Sequence, residues 1–458
     1  MSANLDVVVI GGGSAGFAAA MRAAQLGGSV TLIEEANLGG ACLNEACIPA
    51  RALTASVRLL SRIRNAARFG IEVAAPSIDI DAMHERKDTI MASLRMGTEE
   101  QLRDHGVQVV QGRGRIVDSQ AVAVAGERLT ADRIIVCTGS TAALPNIAGA
   151  DLPSVIGTAE AMELRTLPPR LAILGHHPWG LEATQYFHAL GCQVTLIERG
   201  PQIVPDADRE IAARFGKVLH DAGVNIKRAA PVQAIHRSGE ALVVELGNGE
   251  GEVEAEIVLA ARRLPNSTGL GLRQLGAKMN GAVVCVNDRM ETSLRHIYAA
   301  GDVTGEPRWS HKSSGEGIVA AENAMGLHAV LDTHTLPRCF FTTPEIAWVG
   351  LTEEQAEAQG HDVTVGKVPL AISPFALIHG ETSGMIKIVA GRKYGKILGA
   401  HIMAPGASDL INTAVMAMLA QATVHELMRV LPAHPSLGEA LVDAALDVEK
   451  RSLHMPKW

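Results

Sequence analysis

The feature that most constrains this chain is a strand, glycine turn, helix and strand unit that occurs twice, 164 residues apart. In the first copy the apolar run Val7-Val8-Val9-Ile10 leads into Gly11-Gly12-Gly13-Ser14-Ala15-Gly16. An Ala-rich helical stretch closes at Leu26-Gly27, and Val30-Thr31-Leu32-Ile33 ends in Glu34. Glycines at Gly11, Gly13 and Gly16 have the spacing that lets backbone approach a pyrophosphate at a helix N-terminus, and an acid on the second strand suits a ribose hydroxyl. The glycine spacing alone is a weak signal. With a strand before it, a helix after it and an acid 23 residues on, from Gly11 to Glu34, it is strong. A shift of 164 carries Gly11 to Gly175, Gly16 to Gly180, Leu26-Gly27 to Leu190-Gly191, and Val30 to Glu34 onto Val194-Thr195-Leu196-Ile197-Glu198. Two such units predict an α/β chain with two Rossmann-like domains on parallel sheets, holding two nucleotide cofactors.

The second copy departs from the pattern. Gly13 maps to His177, Ser14 to Pro178 and Ala15 to Trp179. A first-turn proline has no needed N–H to lose. His177, however, puts a large side chain where backbone should meet the pyrophosphate. Either the loop shifts and His176 or His177 donates to the phosphate, or the dinucleotide binds weakly in a displaced pose. The second is the expectation here.

Gly39-Gly40-Ala41-Cys42-Leu43-Asn44-Glu45-Ala46-Cys47-Ile48-Pro49-Ala50-Arg51 places two cysteines five positions apart just beyond the first unit. On a regular helix such positions have Cα atoms roughly 9 Å apart, whereas a disulfide wants less than about 7 Å. If the two pair, the segment between them is a distorted turn, and Pro49 suits a helix that begins after the pair. Two unpaired buried thiols, half of a metal site and a redox pair all fit the spacing. A metal site needs further Cys or His at short spacing, and none follows.

Composition narrows the rest. A chain of 458 residues holds about three domains. Aromatics at 3% and a net charge of -8 argue against a nucleic-acid surface. No apolar run reaches the ~18 residues of a membrane span. The apolar start runs straight into glycines without a basic region, so it reads as a strand and not a leader. Cys137, Cys192, Cys285 and Cys339 are scattered in apolar contexts and read as small core fillers, which suits a cytoplasmic location with one catalytic disulfide as the exception.

The cysteine stretch resembles the active-site segment of the flavin-dependent pyridine nucleotide-disulfide oxidoreductases, with Ala41 for Thr, Ala46 for Gly and Arg51 for Lys; both cysteines, Asn44 and Pro49 match. Ile134-Ile135-Val136-Cys137-Thr138-Gly139 resembles the family's crossing out of the FAD domain. Arg263-Leu264-Pro265-Asn266 is similar to the family's exit from the nicotinamide domain, with Arg262 where Gly is usual. Ile297 to Asp302 resembles the second FAD fingerprint. From Phe341 on the chain is similar to the C-terminal interface domain, closest in wording to dihydrolipoamide dehydrogenases, and His434-Pro435-Ser436-Leu437-Gly438-Glu439 matches its His and Glu pair.

The resemblance implies an FAD domain over 1–150, an NAD-type domain over 151–268, a second FAD and central segment over 269–337, and an α+β dimerisation domain over 338–458. It implies FAD and NAD(H) as cofactors and a homodimer that acts on a lipoyl-bearing carrier or a small dithiol. Cys42 becomes the exchanging thiol and Cys47 the thiol nearer the flavin. His434, held by Glu439, becomes the base serving the other subunit's thiols. Gly11, Gly13, Ser14, Gly16, Glu34, Thr138, Gly139 and Asp302 become FAD residues; Gly175, Gly180 and Glu198 become NAD residues. Arg51 and Glu182 take the places of a Lys and Glu pair beside the flavin. The alternative enzyme is another disulfide or metal-ion reductase of the family, and mercuric reductase is disfavoured because the tail Arg451 to Trp458 has no cysteine pair. A third reading is an FAD protein that binds a lipoylated carrier with impaired nicotinamide turnover.

Overall fold

A computed structural model of the chain describes residues 5–175, 177–260 and 262–455. The chain divides into two compact units. The first holds residues 1–145, 156–166 and 261–331; the second holds 146–155, 167–260 and 332–458.

The first unit opens as its apolar periodicity dictates. β1 (Asp6–Ile10), α1 (Ser14–Gln25) and β2 (Ser29–Glu34) form a right-handed crossover. The broken pair α2 (Gly40–Asn44) and α3 (Cys47–Arg64) comes next, then the long α4 (Ile80–Asp104), β3 (Gln108–Gln111) and β4 (Arg133–Val136). Val7, Val9, Leu32 and Ile135 bury one face of this sheet against Ala19, Ala20 and Ala23 of α1, while Val8, Ile10, Ile33 and Ile134 bury the other. Strands apolar on both faces are what a parallel sheet covered on two sides requires.

In the second unit β5 (Arg170–Leu174), α5 (Pro178–Ala189) and β6 (Gln193–Ile197) repeat that crossover, and α6 (Arg209–Asp221), β7 (Asn225–Lys227) and β8 (Ile257–Ala260) extend it. The strands run parallel in the order β7-β6-β5-β8. The expected repeat is realised residue for residue. Val7 pairs with Val30 in the first sheet and Leu171 with Val194 in the second, and both α1 and α5 are 12 residues long.

Back in the first unit, β9 (Ile297–Ala299) pairs with β4 and completes the sheet order β9-β4-β1-β2-β3. It delivers the chain to α7 (Ser310–Ala324), which packs on α1 so closely that a Cβ at Gly317 would meet the Ala15 carbonyl oxygen at 2.2 Å. Arg22 on α1 donates through Nε to Glu322 Oε1 on α7 at 2.9 Å and pins the far ends together.

The second unit ends in an antiparallel sheet covered by α8 (Ala407–Leu419) and α9 (Leu437–Val448). Its strands are β10 (Arg338–Phe340), β11 (Glu345–Gly350), β12 (Val363–Pro369), β13 (Met385–Gly391) and β14 (Ile397–Ala404), in the order β10-β11-β14-β13-β12. Register lines Arg338, Trp348, His401, Lys387 and Lys367 across one face. The acids leading into α6 meet that row: Asp206 takes Arg338 at 3.2 Å, Asp208 takes Lys387 at 2.7 Å and Glu210 takes Lys367 at 2.8 Å. Burial works against the charge of Asp208, but His401 and Lys387 hold its carboxyl below the usual range. Residues 167–260 and 332–458 are thus joined inside one unit by a charged seam. Among the described residues no helix is long and apolar enough to cross a membrane.

Candidate active site

The first glycine turn fits a dinucleotide. Gly11 donates its N–H to Ile33 O at 2.7 Å, which sets the turn at the end of β1. A Cβ at Gly16 would lie 1.7 Å from the Gly11 carbonyl oxygen, so only glycine lets α1 approach the turn this closely. Gly13 caps α1 without a side-chain hydrogen bond, which leaves first-turn N–H groups for an anion. The nearest atom to a Cβ at Gly13 would be the Gly40 Cα at 3.6 Å, a cradle kept open by two facing glycines. Glu34 is buried at the rim, and its Oε2 accepts Gly12 N–H at 2.6 Å while Oε1 accepts Ala36 N–H at 2.8 Å. These residues suit the pyrophosphate and ribose of FAD.

The cysteine stretch is built onto that turn. Gly39 donates its N–H to Gly12 O at 2.8 Å, and the first residue of α2, Gly40, has φ 56° against Gly13. The segment between the cysteines is the expected distortion: α2 stops at Asn44, and Ala46 lies at φ -140°, ψ -94° before α3. The helix start is a correction to the sequence reading. α3 begins at Cys47 itself, and Pro49 falls on its third residue, still within the first turn where a missing N–H costs nothing. Asn44 fixes the break, donating to Gly40 O at 2.9 Å and Leu38 O at 3.1 Å, while its Oδ1 accepts Arg95 Nη1 from α4 at 3.2 Å.

Cys42 is half-buried and Cys47 exposed. A side-chain hydrogen bond with Cys47 is the largest influence on Cys42. Burial opposes it, the hydroxyls of Ser310 and Ser14 add to it, and the Asp302 charge opposes it; the net result lowers the Cys42 thiol to about 6. Burial instead pushes Cys192 up to about 11 and Cys137 higher still, as core fillers require.

Asp302 follows Gly301 at the end of β9. Its Oδ2 accepts Ser140 Oγ at 2.5 Å, Arg263 Nε donates to the same Ser140 Oγ at 2.8 Å, and Arg263 lies 3.9 Å from Asp302. Thr138 and Gly139 are tied to the exit segment: Thr138 Oγ1 donates to Asn266 O at 2.7 Å, and Asn266 N–H donates to Gly139 O at 2.9 Å. Arg51 lies in the first unit and Glu182 in the second. Glu182 is buried on α5, where its Oε1 accepts Phe341 N–H at 3.1 Å.

The second glycine turn keeps the frame. Gly175 donates to Ile197 O at 2.8 Å, as Gly11 does to Ile33. Glu198 is buried, and its Oε1 accepts Gly200 N–H at 3.1 Å, as Glu34 accepts Ala36. The departure is His177, the N-cap residue of α5, which makes no side-chain cap hydrogen bond and carries a ring where the first unit has glycine. His176, like Pro456 to Trp458 of the tail, lies outside the described residues. Gly175, Gly180 and Glu198 suit NAD(H); His177 occupies the place of approach.

His434 and Glu439 form the expected pair, with Nδ1 to Oε1 at 2.8 Å. Glu439 is the third residue of α9, and its other oxygen accepts Ser436 N–H at 2.8 Å. Both His434 and that N–H hold the Glu439 carboxyl below the usual range. An ionised carboxylate only accepts, so Nδ1 carries the proton, and in the neutral ring that leaves the lone pair on Nε2. His434 itself is 71% exposed.

Sequence reasoning missed Ser310, Arg95, Ser140 and Arg263. Arg263 had a signal in the exit motif it belongs to. Ser310 lies 296 residues from Ser14 and had none.

Fold and site together define an α/β nucleotide-binding oxidoreductase with a dithiol centre and a separate C-terminal domain. The family model described as pyridine nucleotide-disulphide oxidoreductase matches residues 5–324 and its dimerisation domain residues 336–445, and the chain belongs to this family. It is therefore an FAD-dependent, NAD-linked oxidoreductase. Among its relatives, a dihydrolipoyl dehydrogenase of Bacillus subtilis is 33% identical over 98% of this chain and 100% of its own length. A mercuric reductase of Lysinibacillus sphaericus is 33% identical over 98% of this chain and 83% of its own. Among solved structures, LpdA from Mycobacterium tuberculosis superposes with a TM-score of 0.88 at 28% identity, over 96% of this chain and 99% of that one. The HOCl-induced flavoprotein disulfide reductase RclA from Escherichia coli gives 0.85 at 28% identity, over 96% and 99%.

Proposed function

We propose that this chain oxidises a dithiol of the lipoyl type at a Cys42–Cys47 disulfide and delivers the electrons to NAD. The observation that carries this is the broken turn on the glycine cradle, which holds Cys42 against Cys47 with its thiol lowered to about 6. His434 Nε2 takes a proton from the substrate dithiol. The resulting thiolate attacks Cys42 Sγ, the Cys42–Cys47 bond breaks, and Cys47 leaves as a thiolate. The second substrate thiol then displaces Cys42, its proton passing to the departing Cys42 sulfur, which closes the substrate disulfide and leaves the pair reduced by two electrons as the Cys42 thiol and the Cys47 thiolate. FAD, when bound, would supply the two-electron relay between the reduced cysteine pair and NAD. Gly11, Gly13, Ser14, Gly16, Glu34, Thr138, Gly139 and Asp302 hold the flavin nucleotide; Gly175, Gly180 and Glu198 hold NAD(H).

We further propose a cytoplasmic homodimer in which His434 of one protomer serves the cysteine pair of the other. The functional segments are 1–150 and 269–337 for FAD, 151–268 for NAD and 338–458 for dimerisation. The dithiol comes on a lipoylated carrier or as a small molecule. A second reading, a reductase of other disulfides or of a metal ion, is favoured by the mercuric reductase among the relatives.

Steady-state turnover of dihydrolipoamide with NAD tests the proposal. Wild type should turn over, His434→Ala should be slower by about 10²–10⁴-fold, the span for losing a general base, and Cys47→Ser should be inactive. Turnover of small disulfides or metal ions with NADH, and none of dihydrolipoamide, would establish the second reading instead.

A further inference from the structure

Beyond β9, Ala300 donates its N–H to Val136 O of β4 at 2.9 Å. The next residue, Gly301, turns away at φ 84° and ψ -159°, a conformation that favours glycine. Space points the same way, since a Cβ at Gly301 would lie 2.9 Å from Ala15 Cβ on α1. A buried N–H needs a partner, and for Gly301 that partner is a side chain: Glu316 Oε2 on α7 accepts it at 2.8 Å. Asp302 to Thr304 then form a single helical turn. Thr304 Oγ1 donates to Gly301 O at 2.8 Å and lies 3.4 Å from the same Glu316 oxygen. Ser313, on α7 between Lys312 and Glu316, places its Oγ 3.5 Å from Asp302 Oδ1. The helix thus supports the Asp302 turn at two points.

Glu316 and Lys312 are both buried, one helical turn apart, and their Oε1 and Nζ lie 2.7 Å from each other. Taking two charges out of water is costly, and apolar side chains of similar size in place of such a pair are often neutral or stabilising. Stability therefore does not account for the pair. What an apolar pair cannot do is accept the Gly301 N–H.

We propose that Glu316, neutralised by Lys312, is a positioning residue for FAD: by accepting the Gly301 N–H it fixes the backbone on which Asp302 meets the flavin nucleotide. The inference rests on the reading of Asp302 as an FAD residue. Glu316 is buried and acts through Asp302.

The test is a cycle of FAD dissociation constants, measured by equilibrium dialysis of the full chain. One double variant, Lys312→Met with Glu316→Gln, removes both charges and keeps an amide oxygen for the Gly301 N–H. The other, Lys312→Met with Glu316→Leu, removes both charges and the acceptor. The Gln chain should bind FAD about fivefold more weakly than wild type, because a neutral acceptor is weaker. The Leu chain should bind about tenfold more weakly again, because the N–H is left without a partner. With Asp302→Ala added to each, the two should bind alike, since a residue that acts through Asp302 has nothing left to act on. Equal affinity of the Gln and Leu chains with Asp302 present overturns the proposal. So does a tenfold gap that persists without Asp302, which would make the bond a support of the fold alone. If the Leu chain does not fold, Glu316→Asp with Lys312 kept takes its place. It holds the charge but falls one methylene short of Gly301, so it should lose about tenfold in affinity with Asp302 present and nothing without it; affinity equal to wild type overturns the proposal. Asp302→Ala alone tests the underlying reading: if it binds FAD as wild type does, Asp302 is not an FAD residue, whatever separates the Gln and Leu chains.

Discussion

In the first nucleotide unit a methyl group placed at Gly16 would lie 1.7 Å from the Gly11 carbonyl oxygen; in the second, the same methyl at Gly180 would lie 3.0 Å from that of Gly175. Everything behind the turns is alike. The strands pair in the same register, the helices have equal length, and the acid ending each second strand accepts the N–H two residues on. The turns differ because one closes on a pair of facing glycines, Gly13 and Gly40, and the other accommodates the His177 ring and Pro178 by letting α5 stand farther off. The crossover frame is fixed by apolar burial and tolerates this. The ligand-facing turn is where the two copies have diverged.

That contrast can be broken most decisively by alanine at the two packing glycines. Helix propensity returns up to about 1 kcal/mol at both, so the difference is steric. Gly16→Ala should cost about 3 kcal/mol of stability with loss of FAD, because the methyl would fall 1.7 Å from a backbone oxygen, whereas Gly180→Ala, with the matching oxygen 3.0 Å away, should cost about 1 kcal/mol or less. Urea unfolding of both variants decides it; equal costs would mean the turns are equally tight.

The next effect concerns the ring. His177→Gly should tighten NADH binding about tenfold, or 1.4 kcal/mol, read by quenching of nucleotide fluorescence. In wild type, flavin reduction by NADH should be slower than by dihydrolipoamide in stopped flow. Unchanged affinity in the glycine variant would show that the loop accommodates the dinucleotide around the histidine. The smallest effect is at the rim. In Glu34→Gln the amide oxygen still accepts Gly12 N–H, but a neutral acceptor is weaker by about 1 kcal/mol. FAD binding measured by equilibrium dialysis should weaken about fivefold.

Much of this was legible in the chain. The offset of 164 foretold the shared register, since Val7 with Val30 and Leu171 with Val194 follow from the same apolar spacing. Helix geometry required a distorted turn between Cys42 and Cys47 only if the two pair, and the structure has that break; the pairing of His434 with Glu439 followed from their spacing across a proline. Other features were not legible because they are made by packing between distant segments. Helix α3 starts at Cys47 since the break at Glu45 and Ala46, clamped by Asn44 and Arg95, has already released the chain before Pro49. Ser310 meets Ser14, 296 residues away, through the α1–α7 contact. The buried pair of Lys387 with Asp208 joins segments 179 residues apart, so the seam between the second nucleotide fold and the C-terminal sheet left no local trace. Its cations come from separate strands and its acids from a loop that reads as an ordinary helix start.

The most direct measurement of the central claim is an anaerobic titration of the oxidised holoenzyme with dihydrolipoamide, with iodoacetamide added as a trap and the cysteine peptides weighed. The account predicts no label on Cys42 or Cys47 before the dithiol is added, and label on Cys42 after one equivalent, with a long-wavelength thiolate-to-flavin absorbance band appearing in unlabelled enzyme at the same point. Label on both cysteines before any dithiol is added, or no label on Cys42 after one equivalent, would contradict it.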